Sequence, residues 1–170
     1  MKRLFALMIA VLMIAAALAA CGGSSDPTTA PTTAPTDKPA SSVVLSDLLT
    51  EINTQYGING LKVLEKTSDL SRYYRIDEAD VAQFAAEMST ASTEFTEVIL
   101  IEAADSAAAD RISTLLNTHL DTQVNTAKSY SKEFLEMIEQ RKVVTSGTFV
   151  YLVISEDAEA IESLIASKIG

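Results

Sequence analysis

The feature that most constrains how this chain can fold is a segment without large apolar side chains, residues 22–42. It consists of Gly, Ser, Thr, Ala, Pro, Asp and Lys, and it contains all four prolines of the chain. A segment with no Leu, Ile, Val or aromatic residue cannot bury enough apolar surface to fold, and its prolines favour extended conformations. The sequence therefore predicts a tether over residues 21–42 and one folded domain over residues 43–170.

Residues 1–20 have the composition of a secretory signal. The basic pair Lys2-Arg3 precedes an uncharged apolar run, and the segment ends in small side chains. The run is too short and too rich in alanine for a membrane span, which needs about 20 predominantly apolar residues. We predict that residues 1–20 are a signal peptide that is removed on export.

The signal ends in Leu18-Ala19-Ala20-Cys21, which resembles the lipobox of bacterial lipoproteins. In that motif the cysteine thiol receives a diacylglycerol, and the signal is cut just before the cysteine. Two acyl chains such as palmitate, which contribute about 0.8 kcal/mol per buried CH2 group, give a stable membrane attachment. The resemblance implies a lipoprotein anchored through Cys21 to the extracytoplasmic face of the cell membrane.

The charge of the chain is strongly acidic. Thirteen Lys and Arg stand against 23 Asp and Glu, a formal net charge of −10. Removal of the signal, with Lys2 and Arg3, makes the exported chain more acidic still. Anionic lipid and phosphate backbones repel such a surface. We therefore predict that the chain has no nucleic-acid partner. We expect it to contact the membrane through the lipid on Cys21 and to bind an unknown protein or envelope molecule.

Apolar periodicity divides the folded part into helices and strands. Residues 98–101 are four consecutive apolar residues between two glutamates, which is typical of a buried strand. Residues 81–90 alternate, which favours a strand, although a helix is an alternative because Ala, Gln, Glu and Met are also good helix formers. Helices are predicted from Ser42 or Ser46 to about Tyr56, and at about 68–74, 105–127, 132–140 and 157–168; strands are predicted at 81–90, 94–103 and 143–155.

Local signals mark where several of these elements begin and end. Ser42 or Ser46 is predicted to cap the first helix, and Gly57 to end it. Asp105 or Ser106 is predicted to cap the long helix, residues 91–93 to form a hairpin loop, and Ser146-Gly147 to form a bulge or a tight turn. The order of elements predicts a small α+β fold, in which a mostly antiparallel sheet, made of the hairpin and the C-terminal strand, is packed by helices mainly on one face.

Two glutamates flank the apolar run, and their spacing argues against acid–base catalysis. Glu97 and Glu102 are five residues apart, so they point to opposite faces of a strand and are poor partners for glycoside hydrolysis. Glu97 shares a face with apolar neighbours. It is therefore at a sheet edge, paired with a cation such as Arg75 or Arg111, or functional, and we expect the pairing.

His119 is the only histidine, and it lies within or beside the apolar stripe of the long helix. The expected role is therefore structural packing. The sequence contains no Gly-x-Ser-x-Gly motif for a hydrolase, no second histidine for a metal pair, and no cysteine besides Cys21. We predict no catalytic, cofactor-binding or metal-binding residues.

An acidic cluster, Asp77, Glu78 and Asp80, is the remaining candidate for a cation. Its spacing lacks the glycine and the distal glutamate of a twelve-residue calcium loop. A solvated turn or helix start is the favoured interpretation.

From Tyr56 onward the chain resembles the DUF4358 family, a domain of unknown function found in lipoproteins of Gram-positive, clostridia-like bacteria. The resemblance spans most of residues 44–168 and implies a location and a fold, but no activity. Where the family often has an arginine four residues before its glutamine, this chain has His119, and where a proline often follows the tyrosine it has Ser131. The residues that carry the resemblance are Thr96–Leu100, Gln123, Tyr130 and Ser146–Ser155.

These observations lead to three hypotheses about function. The first is a non-enzymatic, lipid-anchored binding or interaction module, since the chain has an anchor motif and no coherent catalytic set. The second is a cell-envelope enzyme that hydrolyses its substrate with carboxylates assembled by the fold. The third is an accessory subunit of a membrane-protein complex. The candidate surface or functional residues are Glu97, His119, Gln123 and Tyr130.

Overall fold

The structure is a computed structural model that describes residues 42–91 and 94–170. The predicted signal, Cys21, the predicted tether up to residue 41, and residues 92–93 of the predicted hairpin loop lie outside the described residues. A single 3-10 turn, Glu78–Asp80, accompanies the helices and strands within these ranges. The helices are α1 (Leu45–Tyr56), α2 (Thr67–Tyr74), α3 (Ser106–Ala127), α4 (Lys132–Glu139) and α5 (Ala158–Ile169), and the strands are β1 (Lys62–Leu64), β2 (Val81–Met88), β3 (Glu97–Ala103), β4 (Val144–Ser146) and β5 (Phe149–Ile154).

The strands form one antiparallel sheet in the order β1-β2-β3-β5-β4. Strand β3 lies at its centre, and every residue of β3 is buried. Ile99 faces Ala86 of β2 on one side and Leu152 of β5 on the other. The predicted buried strand, the hairpin partner over residues 81–90 and the α+β class with an antiparallel sheet are confirmed.

Helices cover both faces of the sheet rather than mainly one. Ile99 and Ile101 pack with residues of α2, α3 and α4 in one apolar cluster, whereas Val98 and Leu100 pack with α1 and α5 in another. The physical reason lies in β3, because alternate residues of a strand point to opposite faces. Every position of this run is apolar, so other elements must pack against both faces of the strand.

The long C-terminal strand predicted over residues 143–155 is in fact a hairpin. Strands β4 and β5 pair around Gly147 and Thr148, with Ser146 opposite Phe149. Gly147 has a φ of 59°, a left-handed conformation at the first position of a two-residue turn, as in type II′ turns. The Ser146-Gly147 signal therefore marks a tight turn. Strand β1 was not predicted, because three residues are too few for a periodic pattern.

We expect Gly147→Ala to lower the free energy of unfolding by about 1 kcal/mol, because a Cβ disfavours the left-handed conformation. Nothing lies within 4 Å of a Cβ added at Gly147, so steric overlap does not contribute. Urea denaturation measures the change, with Thr145→Ala on the exposed part of β4 as the control. An unchanged stability of Gly147→Ala would contradict the turn assignment.

The helix ends follow the predicted signals in part. Helix α1 ends at Tyr56 and is followed by Gly57, whose φ is 66°. Asp105 caps α3 by accepting a hydrogen bond from the backbone N–H of Ala108 at 2.7 Å. The predicted serine cap of α1 is wrong, since Val44 occupies the cap position without a side-chain hydrogen bond. A tertiary contact replaces the cap, because the Leu45 N–H donates to the side chain of Gln83 on β2 at 3.1 Å.

Two carboxylates, Glu87 and Glu102, are buried on the sheet face covered by α1. Gln83 donates to Glu102 Oε2 at 2.7 Å, and Asn53 of α1 donates to Glu87 Oε2 at 3.0 Å. Burial raises the pKa of Glu87, and the hydrogen bond from Asn53 opposes this shift only in part. Glu87 therefore holds its proton to a higher pH in the folded state than in the unfolded state.

This raised pKa predicts a pH-dependent effect of Glu87→Gln. The stability that the protonated group contributes is fully present below the unfolded pKa, about 4.3, and is lost as the pH rises through the folded pKa. We expect Glu87→Gln, which cannot ionise, to be more stable than the wild type at neutral pH and to lose this advantage near pH 4. Urea denaturation across this pH range tests it, with the exposed Glu51→Gln as control. A less stable Glu87→Gln at neutral pH would refute the assignment.

Within residues 42–91 and 94–170, no helix is long and apolar enough to cross a membrane.

Candidate functional site

The candidate site is built around Glu97, the first residue of β3. Its side chain is only 2% exposed. The Tyr74 hydroxyl donates a hydrogen bond to Glu97 Oε1, and His119 Nε2 lies 2.8 Å from Glu97 Oε2. Both carboxylate oxygens are therefore engaged by side chains of other elements.

Strand alternation and helix ends bring these groups together. Glu97 points to the same sheet face as Ile99 and Ile101, the face covered by α2 and α3. Tyr74 is the last residue of α2, and His119 lies on the inward side of α3. The Tyr74 and His119 rings meet edge to face, with their centroids 4.8 Å apart. Packing and hydrogen bonding therefore both hold the two partners of Glu97 in place.

The hydrogen-bond chemistry determines where the proton of His119 lies. A carboxylate only accepts hydrogen bonds, so His119 Nε2 must carry a proton and donate it to Glu97. The amide of Gln123, one helical turn later, lies 3.3 Å from the same nitrogen. A protonated nitrogen accepts no N–H bond, so the amide oxygen of Gln123 is the atom that belongs beside it. The N–H donors of Gln123 are then left for other partners.

Tyr74 remains a neutral donor in this site. Burial and the neighbouring charge of Glu97 raise the pKa of Tyr74 far above its ordinary value. A neutral hydroxyl can donate to the carboxylate at every physiological pH. The buried charge of Glu97 is therefore compensated by two fixed donors, Tyr74 and His119.

A cavity of about 250 Å³ opens beside this cluster. Glu97 and Gln123 form part of its wall, together with Phe95 and Tyr130. The Phe95 and Tyr130 rings meet edge to face at 6.2 Å, and Tyr130 is 54% exposed. The cavity therefore combines amide and hydroxyl groups with an aromatic rim that is open to solvent.

The structure brings the predicted candidates together. Glu97, His119 and Gln123 form one hydrogen-bonded cluster, and Tyr130 lies on the rim of the same cavity without a hydrogen bond to that cluster among the described contacts. Tyr74 was missed as a member, because its role depends on where the short helix α2 ends. Cys21, the predicted lipidation site, lies outside the described residues.

The expected pairing of Glu97 with an arginine is wrong. Arg111 binds Asp80 instead, with Nε at 3.0 Å from Oδ2 and Nη2 at 2.5 Å from Oδ1. The hydrogen bond from Arg111 lowers the pKa of Asp80. Asp80 lies near the start of β2, where Arg111 of α3 reaches it, whereas His119 lies two turns further along α3 and meets Glu97. Glu102 points to the opposite sheet face, as predicted.

The acidic cluster forms a solvated turn. Asp77 accepts from the N–H of Ala79 at 3.0 Å, and Glu78 accepts from the Thr67 hydroxyl at 2.6 Å. Asp80 is held by Arg111. Among the residues that the structure describes, no group of three or more His, Cys, Asp and Glu side chains is arranged to hold a metal ion.

Comparison with known proteins supports the family resemblance. The profile of a family described as "Domain of unknown function (DUF4358)" matches residues 55–155, a range that includes Tyr74, Glu97, His119, Gln123 and Tyr130. No curated protein and no solved structure matches the chain. The match covers more than half of the sequence, and on this basis the chain belongs to the DUF4358 family.

Proposed function

We propose that this protein is a lipid-anchored binding module on the extracytoplasmic face of the cell membrane, and that the cavity beside Glu97 is its binding site. The observation that carries the proposal is the buried Glu97 carboxylate, held by Tyr74 and His119 in the wall of a solvent-open cavity. A buried charge costs desolvation free energy, so a charged cluster of this kind adds little stability compared with apolar packing. It does give rigid positions to the polar groups of a site.

The wall of the cavity indicates the chemistry of the ligand. Gln123 supplies N–H donors, Thr126 supplies a hydroxyl, and Phe95 and Tyr130 supply aromatic surface. At about 250 Å³ the cavity is smaller than the roughly 300–1,000 Å³ typical of drug-sized sites. Glu94 adds a carboxylate, and no Lys or Arg is among the described residues that line the cavity. We therefore infer a polar group without negative charge on an apolar body, such as one residue or one ring of a larger envelope molecule.

Crosslinking in living cells tests this site. A photoreactive amino acid in place of Tyr130 should form an adduct, whereas one in place of Glu159 on α5 should not form the same adduct. Thr126→Trp fills the cavity and should abolish the Tyr130-directed product. The same products from both positions, or a product that persists in Thr126→Trp, would contradict the proposal. A membrane protein as the adduct would support the accessory-subunit form of the hypothesis.

A carboxylate-based hydrolase is the second candidate, because Glu94 lines the same cavity as Glu97. Two carboxylates at one cavity are the minimum set for glycoside hydrolysis. Against this role, both oxygens of Glu97 already accept hydrogen bonds, and Glu94 accepts from Ser89 at 3.1 Å. Cleavage of peptidoglycan or a sugar polymer by the wild type, and its loss in Glu94→Gln, would favour the enzyme over the binding module.

The anchor is tested separately. Cys21→Ser removes the thiol that would carry the lipid, so we expect the protein either to leave the membrane fraction or to accumulate as an unprocessed precursor. Fractionation and immunoblotting of cells measure both outcomes, with Ser25→Ala in the tether as the matched control. A Cys21→Ser protein that stays membrane-bound at mature size would exclude lipid anchoring through this residue.

A further inference from the structure

A second cavity, of about 350 Å³, lies between α1 and the β1-β2 edge of the sheet. We call it the α1 groove. It is separate from the Glu97 site, because Glu87 of β2 points to the sheet face covered by α1 whereas Glu97 points to the face covered by α3. Its lining includes Leu49, Thr50, Asn53, Val63, Glu65 and Glu87.

Two buried oxygens of the α1 groove have no hydrogen-bond partner among the described residues. These are Asn53 Oδ1 and Glu87 Oε1, and the Glu87 side chain as a whole is 3% exposed. A buried polar group without a hydrogen-bond partner destabilises the fold, and a charged group does so more strongly. Asn53 Oδ1 is an acceptor, and Glu87 Oε1 is an acceptor when the carboxyl is ionised, so an outside partner for the ionised pair must carry hydrogen-bond donors.

The lining of the α1 groove adds a requirement for positive charge. Among the described residues that line it, none is Lys or Arg, while Glu65 adds a second carboxylate to Glu87. Leu49 supplies apolar surface, and Val63 is 54% exposed, which makes it one of the few large apolar side chains open to solvent in the described part of the chain. A partner suited to this lining has a cationic donor group on an aliphatic chain.

We propose that the α1 groove binds an aliphatic primary ammonium group, such as the lysine side chain of a partner peptide. Both oxygens are buried, so the Asn53 and Glu87 side chains rotate toward the groove to accept hydrogen bonds from the ammonium group. Its carbon chain lies along Leu49 and Val63. The volume suffices for several heavy atoms, since one water takes up about 30 Å³. An ethanolamine lipid headgroup fits less well, because Glu65 repels its phosphate and the lining offers no cation to bind it.

Titration of the full chain in detergent with n-butylammonium, followed by NMR, tests the proposal. We expect saturable shifts of the Asn53 side-chain amide signals and at least a tenfold loss of affinity in Glu87→Gln. Glu51→Gln alters an α1 carboxylate that pairs with Lys168 of α5 and does not line the α1 groove, so it should bind as the wild type does. Thr50→Trp should abolish binding by filling the α1 groove while it leaves the buried pair in place.

Three further probes separate the alternatives. Tetramethylammonium has the same charge without N–H donors, so an equal response to it would overturn the proposal. A lysine-containing peptide should compete with butylammonium. Vesicles containing phosphatidylethanolamine should not compete, and competition by these vesicles alone would overturn the assignment to a lysine-type side chain. If the NMR shifts do not saturate with butylammonium, the proposal is overturned, and a proton or a water completes the Asn53–Glu87 pair.

Discussion

Replacing His119 by alanine should lower the free energy of unfolding by about 3 kcal/mol, because the buried charge of Glu97 then keeps only one of its two donors, Tyr74. Glu97 is 2% exposed and loses the donor that lies 2.8 Å away. The Tyr74 ring also loses its edge-to-face contact with the imidazole. Urea denaturation of the wild type and of His119→Ala at neutral pH measures the loss.

A double-mutant cycle shows whether the loss comes from Glu97. In the Glu97→Gln background the site holds a neutral amide, so His119→Ala should cost clearly less than in the wild type. Asn117→Ala, on the exposed side of α3, should change stability by less than about 0.5 kcal/mol. If His119→Ala costs the same in both backgrounds, the interaction with Glu97 does not stabilise the fold as we describe.

The second large loss of stability is expected from truncating buried side chains of β3. Ile99→Ala and Leu100→Ala should each lower the free energy of unfolding by about 3 kcal/mol, since each leaves a cavity in packed surroundings. Ile99 is 0% and Leu100 1% exposed, although their side chains point to opposite faces of the sheet. Ile99 packs in the cluster that contains α3, and Leu100 packs in the cluster that contains α1 and α5.

This pair of variants separates a sheet covered on both faces from a sheet covered on one. With helices on one face only, one of the two side chains would be exposed, and its truncation would cost less than about 1 kcal/mol. Val63→Ala, which alters a residue 54% exposed at the sheet edge, is the control and should cost little. A small loss for either Ile99→Ala or Leu100→Ala would contradict the fold.

The candidate residues show how far the sequence could lead. The resemblance to DUF4358 drew attention to Glu97, Gln123 and Tyr130, and strand alternation showed that Glu97 and Glu102 point to opposite faces. Which group meets Glu97 could not be predicted. Tyr74 and His119 are 23 and 22 residues away in sequence, and Arg75 and Arg111 were equally reasonable choices by charge.

The sequence by itself determined the local features: the central strand at Val98–Ile101, the end of α1 before Gly57, the Asp105 cap of α3, and membership of the family. Each depends on neighbouring residues, through periodicity, backbone preference or a short motif. The tertiary structure alone decided that helices cover both faces, that His119 meets Glu97, and that Asn53 meets Glu87 across 34 residues of chain. Those contacts depend on strand order and helix placement, which local patterns do not encode, because periodicity identifies the buried face of an element but not the element that covers it.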